Sequence, residues 1–301
     1  MASKKAPEDI PVNMYDYPTL VQKTIQSSIR LMEYFRMNLI YYQLVSGKGL
    51  EFDRLREYVP GHDPRRIDWK KFAQTGKLYT RVFKEERHFD IIIVLDVSNS
   101  MLLGTTEMTK NEYAAIVAGA LAFAAVEAGD SVGVVMTSDR VRVATDPSSE
   151  FYKLLSVIAD KDNYGGNKDW TTLSRDLLSN YQPESIVFLV SDFIDTNAEL
   201  FLPELASNFS KTYGIMVRDP IDNELPRGVG RMYLKGAGNE KLYLSNIESA
   251  REEYALLARR QIKRVRDTFH EYGQLFFEIT TKEDFGTGFI KALGSEEVIV
   301  T

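Results

Sequence analysis

The sequence predicts an α/β fold in which helices cover both faces of a mostly parallel central sheet. From residue 90 onward, apolar runs of strand length alternate with helical segments; the runs are IIIVLDV, VGVVMTS, SIVFLVSDF and TYGIMVRD. Nearly all their residues are apolar, which is typical of parallel strands buried on both faces. The stretch VGVVMTSDRVRVATD also contains a hairpin pattern, so we expect one antiparallel strand at a sheet edge.

The residues before this domain follow a different pattern. Residues 1–17 are polar and contain prolines, which predicts a flexible arm. Residues 18–38 carry apolar side chains at helical spacing, and three β-like pieces follow, LIYYQLV, LEFDRLREYV and LYTRVFKEE. We therefore expect an N-terminal helix plus a small β-rich module over residues 18–89, ahead of the main domain at 90–301. Within this module, we expect Trp69 to pack in the seam with the main domain.

The helices of the main domain are predicted from apolar side chains at helical spacing between the strand-like runs. They are NEYAAIVAGALAFAAVEAG, EFYKLLSVIAD, LSRDLLSNY and AELFLPELASNF. A long amphipathic helix is expected over residues 247–272, followed by a final strand FFEIT and a closing helix DFGTGFIKAL. Strands separated by helices in this way are the pattern of parallel crossover units.

Composition argues against several classes of protein. The 301 residues contain no cysteine, which excludes disulfides and thiolate metal sites. The formal net charge of -6 argues against a general nucleic-acid binder. The first residues lack the apolar segment of a signal peptide, and no apolar stretch reaches the ~20 residues of a transmembrane helix. We expect a soluble, cytoplasmic protein with no transmembrane segment.

Oxygen-bearing side chains follow two of the predicted strands. Asp96, Ser98 and Ser100 come at the end of IIIVLDV, and Asp192 takes the equivalent position after SIVFLVS. Ligands of open α/β sheets bind at this carboxyl edge, and hard oxygen donors suit Mg²⁺, Mn²⁺ or Ca²⁺. The loop YGGNKDWTT adds Thr171 or Thr172. The alternative is structural, because an aspartate followed by serine also caps helices and forms Asx-turns.

Together these features resemble the von Willebrand factor A domain and its metal-ion-dependent adhesion site, over roughly residues 88–301. The resemblance implies a Rossmann-like fold. It matches Asp96, Ser98 and Ser100 to the first metal loop and Asp192 to the third. Thr171 best matches the second-loop threonine, because the apolar positions of the following helix are then in register; Thr172 is the alternative.

The segment before the first parallel strand resembles a more specific family. Residues 47–87, GKGLEFDRLREYVPGHDPRRIDWKKFAQTGKLYTRVFKEER, are similar to the signature of the bacterial and archaeal family called domain of unknown function 58, as is RDPIDNELP at 218–226. Two departures are visible: His62 replaces the usual first acid of a GDD motif, and GGNKDWTT replaces a shorter GGT-type turn. The resemblance implies an adaptor or cofactor of a MoxR-type AAA+ ATPase in chaperone-like assembly or maturation.

The oxygen-bearing side chains and the family resemblance allow two classes of function. The first is a non-enzymatic protein-interaction module, in which an acidic residue of the ATPase or its client completes the coordination of a bound Mg²⁺, Mn²⁺ or Ca²⁺. The second is a hydrolase that uses the same ion to activate water. Three scattered histidines, no P-loop and no G-x-S-x-G motif argue against a zinc site, a nucleotide site and a serine hydrolase. The predominance of hydroxyls over acids favours the interaction module.

Overall fold

The computed structural model describes most of the chain from residue 88 onward and parts of the segment before it. The described residues are 41, 44, 45, 52–58, 69–83, 88–170, 172–194, 196–228, 231–235, 242–283, 288, 291 and 292. The predicted arm at 1–17 and helix at 18–38 lie outside these residues. So does most of the predicted closing helix, although Gly288, Lys291 and Ala292 are helical.

The elements follow the order strand–helix–strand in the front segment and then alternate through the main domain. In chain order they are β1 (Phe52–Glu57), α1 (Trp69–Thr75), β2 (Tyr79–Phe83), β3 (Asp90–Asp96), α2 (Lys110–Glu127), β4 (Ser131–Thr137), β5 (Val141–Ala144), α3 (Phe151–Ala159), α4 (Leu173–Asn180), β6 (Ile186–Ser191), α5 (Leu202–Asn208), β7 (Lys211–Arg218), α6 (Pro220–Asn223), β8 (Arg231–Lys235), β9 (Leu242–Asn246), α7 (Ile247–Glu271) and β10 (Phe276–Thr280). Short 3₁₀ turns lie at Asn99–Leu102, Lys161–Asn163 and Ala198–Leu200.

The central sheet has six strands in the order β10-β7-β6-β3-β4-β5. All neighbouring pairs are parallel except β4 and β5, which form the expected antiparallel edge. The strand β3 lies inside this sheet because its residues Ile91–Leu95 are completely buried and can face apolar neighbours on both sides. The predicted mostly parallel α/β fold is therefore confirmed.

Helices cover both faces of this sheet, as predicted. Ile91, Ile93 and Leu95 pack in one core cluster with α2 and α3. Ile92 and Val94 pack in a second cluster with α4, α5 and α7 on the opposite face. The alternation of side chains along β3 thus divides one apolar run between two cores. The alanine-rich helix α2 is buried along most of its length because small side chains let it lie close to the sheet.

The front segment differs from the sequence prediction in two places. LEFDRLREYV and LYTRVFKEE do supply the antiparallel pair β1–β2, but in LIYYQLV the described residues Tyr41, Leu44 and Val45 are helical. These three side chains belong to the first core cluster, so burial against the domain decides the conformation of this apolar piece. The Tyr41 hydroxyl donates to Asp130 Oδ2 at 2.6 Å, and Lys211 Nζ donates to the Leu44 carbonyl at 2.7 Å.

The expected position of Trp69 is wrong. Trp69 is 62% exposed, and its ring contacts that of Phe72 edge to face, with 6.1 Å between the ring centroids. It begins α1, a short helix that the sequence analysis did not predict, between β1 and β2. The hairpin β8–β9 was also not predicted; its ten residues form an antiparallel pair directly before α7. The long helix itself is confirmed over Ile247–Glu271.

A candidate site at the carboxyl end of the sheet

The carboxyl ends of β3 and β6 bring two aspartates to one place. Asp96 is the last residue of β3, Asp192 directly follows Ser191 at the end of β6, and both aspartates are fully buried. The two strands are parallel neighbours with Leu95 beside Val190, so their carboxyl ends lie at the same edge. This is the edge at which ligands of open α/β sheets bind.

The predicted hydroxyl residues divide into those near Asp96 and those farther along the chain. The Ser98 amide donates to Asp96 Oδ1 at 2.9 Å, which is the geometry of an Asx-turn, and Ser98 Oγ lies 3.2 Å from Ser100 Oγ. Asp96 therefore forms the Asx-turn that the sequence analysis gave as the alternative to a metal site. Thr171 lies outside the described residues, and Thr172 is exposed immediately before α4.

A lysine lies between the two aspartates. Lys168 Nζ is 2.9 Å from Asp96 Oδ2 and also contacts Asp192 Oδ1. Burial by itself would lower the pKa of Lys168, but the carboxylates of Asp192 and Asp96 outweigh it and hold that pKa above its ordinary value. Lys168 therefore lies in this site as an ammonium ion shared by both acids.

Two consecutive glycines deliver Lys168 to this position. Gly165 and Gly166 have φ angles of 104° and 93°, which residues with a Cβ rarely adopt. The Gly165 amide donates to the Val97 carbonyl at 2.7 Å, and the Gly166 carbonyl accepts from the Asn99 amide at 2.8 Å. The YGGNKDW turn is thus fastened to the loop that follows β3. Lys168 enters the site from that turn.

A second buried lysine reaches the same acids from α2. Lys110 Nζ donates to Asp192 Oδ2 at 2.8 Å and lies 3.0 Å from Asp222 Oδ2. Burial alone would raise the pKa of Asp192, but Lys168 and Lys110 outweigh it and hold that pKa below its usual range. We call these five residues, Asp96, Lys110, Lys168, Asp192 and Asp222, the strand-end charge cluster. Its three carboxylates and two ammonium groups leave one net negative charge.

The RDPID segment fixes the outer side of the cluster. Asp219 and Asp222 form a capping box at the start of α6, and Arg218 donates to the Asp222 carbonyl at 2.6 Å. Asp219 Oδ2 also accepts from the Thr105 amide at 2.7 Å, which ties the loop after β3 to the end of β7. The RDPIDNELP segment, which the sequence analysis matched to a family, therefore joins the end of β7 to the loop after β3.

Aromatic packing supports the turn that carries Asp192. The next residue, Phe193, is fully buried and has a φ of 48°, a left-handed conformation that is uncommon outside glycine. Its ring packs against Trp170 at 5.4 Å and Phe269 at 5.9 Å between centroids. Burial of this ring offsets the strained backbone. The position of Asp192 is thus set by the core of the domain.

The arrangement can be compared with the needs of a divalent ion. All four carboxylate oxygens of Asp96 and Asp192 already accept hydrogen bonds or contact an ammonium group; the donors are the Ser98 amide, the Ser191 hydroxyl, the Ile194 amide, Lys168 and Lys110. Within the part of the chain that the structure describes, no group of three or more His, Cys, Asp or Glu side chains could hold an ion. The residues as arranged do not fit a divalent ion, which could enter only if Lys168 left.

Sequence reasoning did not predict the two lysines. Lys168 was visible in the unusual turn GGNKDWTT, where a lysine enters the longer loop. Lys110 directly precedes the predicted helix NEYAAIVAGALAFAAVEAG and begins the observed α2, so a lysine beside a helix start was a second signal. Neither lysine could be paired with the acids from the sequence alone, because residues distant along the chain come together only on folding; Lys110 and Asp192 are 82 residues apart.

Comparison with known proteins identifies relatives of unestablished function. A family model described as protein of unknown function DUF58 matches residues 54–264. The chain is 26% identical over 261 residues to the uncharacterized protein Rv1480 of Mycobacterium tuberculosis. The aligned region covers 84% of this chain and 81% of the relative. The uncharacterized protein Mb1516 of Mycobacterium bovis matches with the same values.

Solved structures show only distant likeness. An aerotolerance-related membrane protein from Bacteroides fragilis is 11% identical, with a TM-score of 0.46 over 69% of this chain and 99% of that one. The conserved hypothetical protein BatB from Bacteroides thetaiotaomicron is 12% identical, with a TM-score of 0.44 over 71% and 100%. Among the described residues, no helix is long and apolar enough to cross a membrane. The cytoplasmic location stays a prediction.

Proposed function

Since this chain belongs to the family described as protein of unknown function DUF58, we propose that it is a non-enzymatic protein-interaction module built on a von Willebrand factor A-type domain. The partner we propose is a MoxR-type AAA+ ATPase or a client of that ATPase, in chaperone-like assembly or maturation. One observation carries the proposal: the acids at the ligand-binding edge of the sheet are closed off in the strand-end charge cluster, while the loops around them face solvent.

The closed cluster argues against the hydrolase alternative. A general base must be within hydrogen-bonding reach of a substrate proton and have a lone pair available. Asp96 and Asp192 are fully buried, and Lys168 and Lys110 already contact their carboxylates. Neither acid is arranged to accept a proton from an incoming water. We therefore propose a role in binding for this edge of the sheet.

The surface offered to a partner is the rim around the cluster. We define the rim as five exposed residues in the two loops beside it, namely Leu103, Thr105, Glu107, Asn167 and Asp169. Backbone hydrogen bonds hold both loops: the Lys110 amide at the start of α2 donates to the Leu103 carbonyl, and the Asp169 amide donates to the Ser138 carbonyl just after β4. A partner would therefore meet a preorganised surface, which lowers the entropic cost of association.

The rim mixes an apolar anchor with polar and acidic side chains. Leu103 is 39% exposed, and the other exposed rim residues are polar or acidic. An apolar centre with a polar border is the composition of many protein interfaces. We propose that Leu103 inserts into the partner and that the surrounding loops determine which partner fits.

The test is a quantitative pull-down with the cognate MoxR-type ATPase. We expect Leu103→Arg to weaken binding by about tenfold or more, because a charge would be buried at the interface. The matched control is Leu257→Arg on α7, where the leucine is 55% exposed and lies outside the rim. Normal binding by Leu103→Arg together with lost binding by Leu257→Arg would assign the interface to α7 instead.

A further inference from the structure

We propose that Lys168 is a built-in cation that takes the place of a divalent ion at this site. This role of Lys168 concerns the site of the proposed function but is a property of the chain alone, and it can be measured without a partner. Its starting point is the position of one atom. Lys168 Nζ lies between Asp96 Oδ2 and Asp192 Oδ1, the two acids that end neighbouring parallel strands.

The two carboxylate oxygens that Lys168 joins each already have a second donor. Asp96 Oδ1 accepts from the Ser98 amide, and Asp96 Oδ2 accepts from the Ser191 hydroxyl in addition to contacting Lys168. Asp192 Oδ1 accepts from the Ile194 amide beside its contact with Lys168. A divalent ion shared by both acids would have to displace the ammonium group and part of this hydrogen-bond network.

Charge balance gives the same result. Lys168 contacts one carboxylate oxygen of Asp192, and Lys110 donates to the other. Asp192 therefore already has an ammonium group on each of its two oxygens. A divalent ion added beside these two cations would be repelled by both at short range, and it would be attracted by only the one net negative charge that the cluster retains. The ordinary oxygen preference of Mg²⁺ is thus outweighed by cations that the chain itself supplies.

Burial and the turn before it hold the Lys168 side chain in this position. Its side chain is 11% exposed, and the turn before it is fastened by backbone hydrogen bonds to the loop after β3. Gly166 has a φ of 93°, and a Cβ there would lie 2.9 Å from Ser138 Oγ, so this turn also depends on glycine. A lysine fixed by a dedicated turn costs less entropy on pairing than one on a mobile loop. The structure thus assigns Lys168 the position of the ion.

The consequence is that the chain docks through this edge without a bound metal ion. An acidic partner residue would have no ion to complete, so recognition would fall to the rim. Lys168 then acts as the residue that excludes divalent ions. Its removal would expose the two carboxylates, with Ser98 and Ser100 beside them, as a set of hard oxygen donors.

The experiment is a titration of the full chain with Mn²⁺, followed by electron paramagnetic resonance and by calorimetry. We expect no site in the parent protein at millimolar Mn²⁺ and one site in Lys168→Ala. Its affinity should exceed that of the parent by about tenfold or more, because a neighbouring unit charge is removed. The double variant Lys168→Ala/Asp96→Asn is the control and should lose the site again.

The outcomes separate clearly. One Mn²⁺ site in the parent protein would overturn the inference, whatever the variants do. A folded Lys168→Ala protein without a site would also overturn it, because Lys168 would not be what excludes the ion. Should Lys168→Ala fail to fold, Lys168→Met keeps the volume of the side chain and removes only its charge, and the same two criteria apply. Failure of the Leu103→Arg pull-down concerns the proposed function and leaves this measurement intact.

Discussion

Replacing Lys110 by methionine should strongly destabilise the protein. Lys110 is fully buried, and its Nζ lies 2.8 Å from Asp192 Oδ2 and 3.0 Å from Asp222 Oδ2. Methionine keeps an unbranched stem of similar length but removes the charge, which leaves the cluster with three carboxylates and one ammonium group. Breaking a buried ion pair from one side costs about 3–5 kcal/mol of unfolding free energy, because a buried charge loses its partner.

The assay is reversible urea unfolding at neutral pH, followed by circular dichroism, with thermal unfolding as a second measurement. A loss of this size lowers the melting temperature by about 10 °C in a domain of this length. The matched control is Lys263→Met. Lys263 also pairs with an aspartate, Asp267, but the two side chains are 75% and 57% exposed. The control should change stability by less than about 1 kcal/mol, as surface ion pairs do.

A second variant tests the physical reason for the loss. Lys110→Met/Asp222→Asn keeps the net charge of the strand-end charge cluster at its original value, since one cation and one anion are removed together. We expect the double variant to recover part of the stability lost by Lys110→Met. A loss below about 1 kcal/mol in Lys110→Met, or no recovery in the double variant, would refute the reasoning that buried charge balance stabilises this edge of the sheet.

Three further predictions follow from residues away from the cluster. Burial, with a smaller contribution from Asp146, raises the pKa of Tyr181 to about 12 from 10.0. The stability that the neutral phenol contributes is therefore present below pH 10.0 and is lost as the pH rises through about 12. The melting temperature should fall less steeply across this range in Tyr181→Phe than in the parent protein, and an identical fall would contradict this. Gly214→Ala should lower unfolding free energy by about 1–3 kcal/mol in urea unfolding, because a Cβ there would lie 2.6 Å from Phe276 Cδ2; unchanged stability would show that the ring can move. Trp69→Ala should change the melting temperature little, since the residue is 62% exposed; a loss of about 3 kcal/mol, typical of a buried aromatic residue, would show that the ring is buried in solution.

The sequence predicted the main domain because its signals are local. Each strand that it indicated is an apolar run whose successive residues pack on opposite faces, as Ile92 and Ile93 do, and this pattern can be read without knowing what lies beside it. Strand ends followed by polar residues likewise marked Asp96 and Asp192. The front segment was harder, because its apolar piece LIYYQLV has no periodicity that separates strand from helix.

Exposure was the property that local patterns predicted least well. Trp69 has the size of a core residue, and sequence alone expected it to be buried, but exposure depends on what packs over the helix that carries it. The hairpin β8–β9 was missed for a related reason. Its strands pair with each other outside the central sheet, so they lack the continuous apolar run that marked the other strands.

The α/β fold, the family and the edge of the sheet at which the acids meet could all be predicted from the sequence. The groups that lie between those acids become visible only in the folded chain. Lys168 comes from the YGGNKDW turn and Lys110 from the start of α2, and they are 24 and 82 residues from Asp192 along the chain. Hydrophobic periodicity fixes which face of an element is buried. The pairing of buried charges depends on which loops the folded sheet brings within a few ångströms, because Coulomb attraction acts through space and not along the sequence.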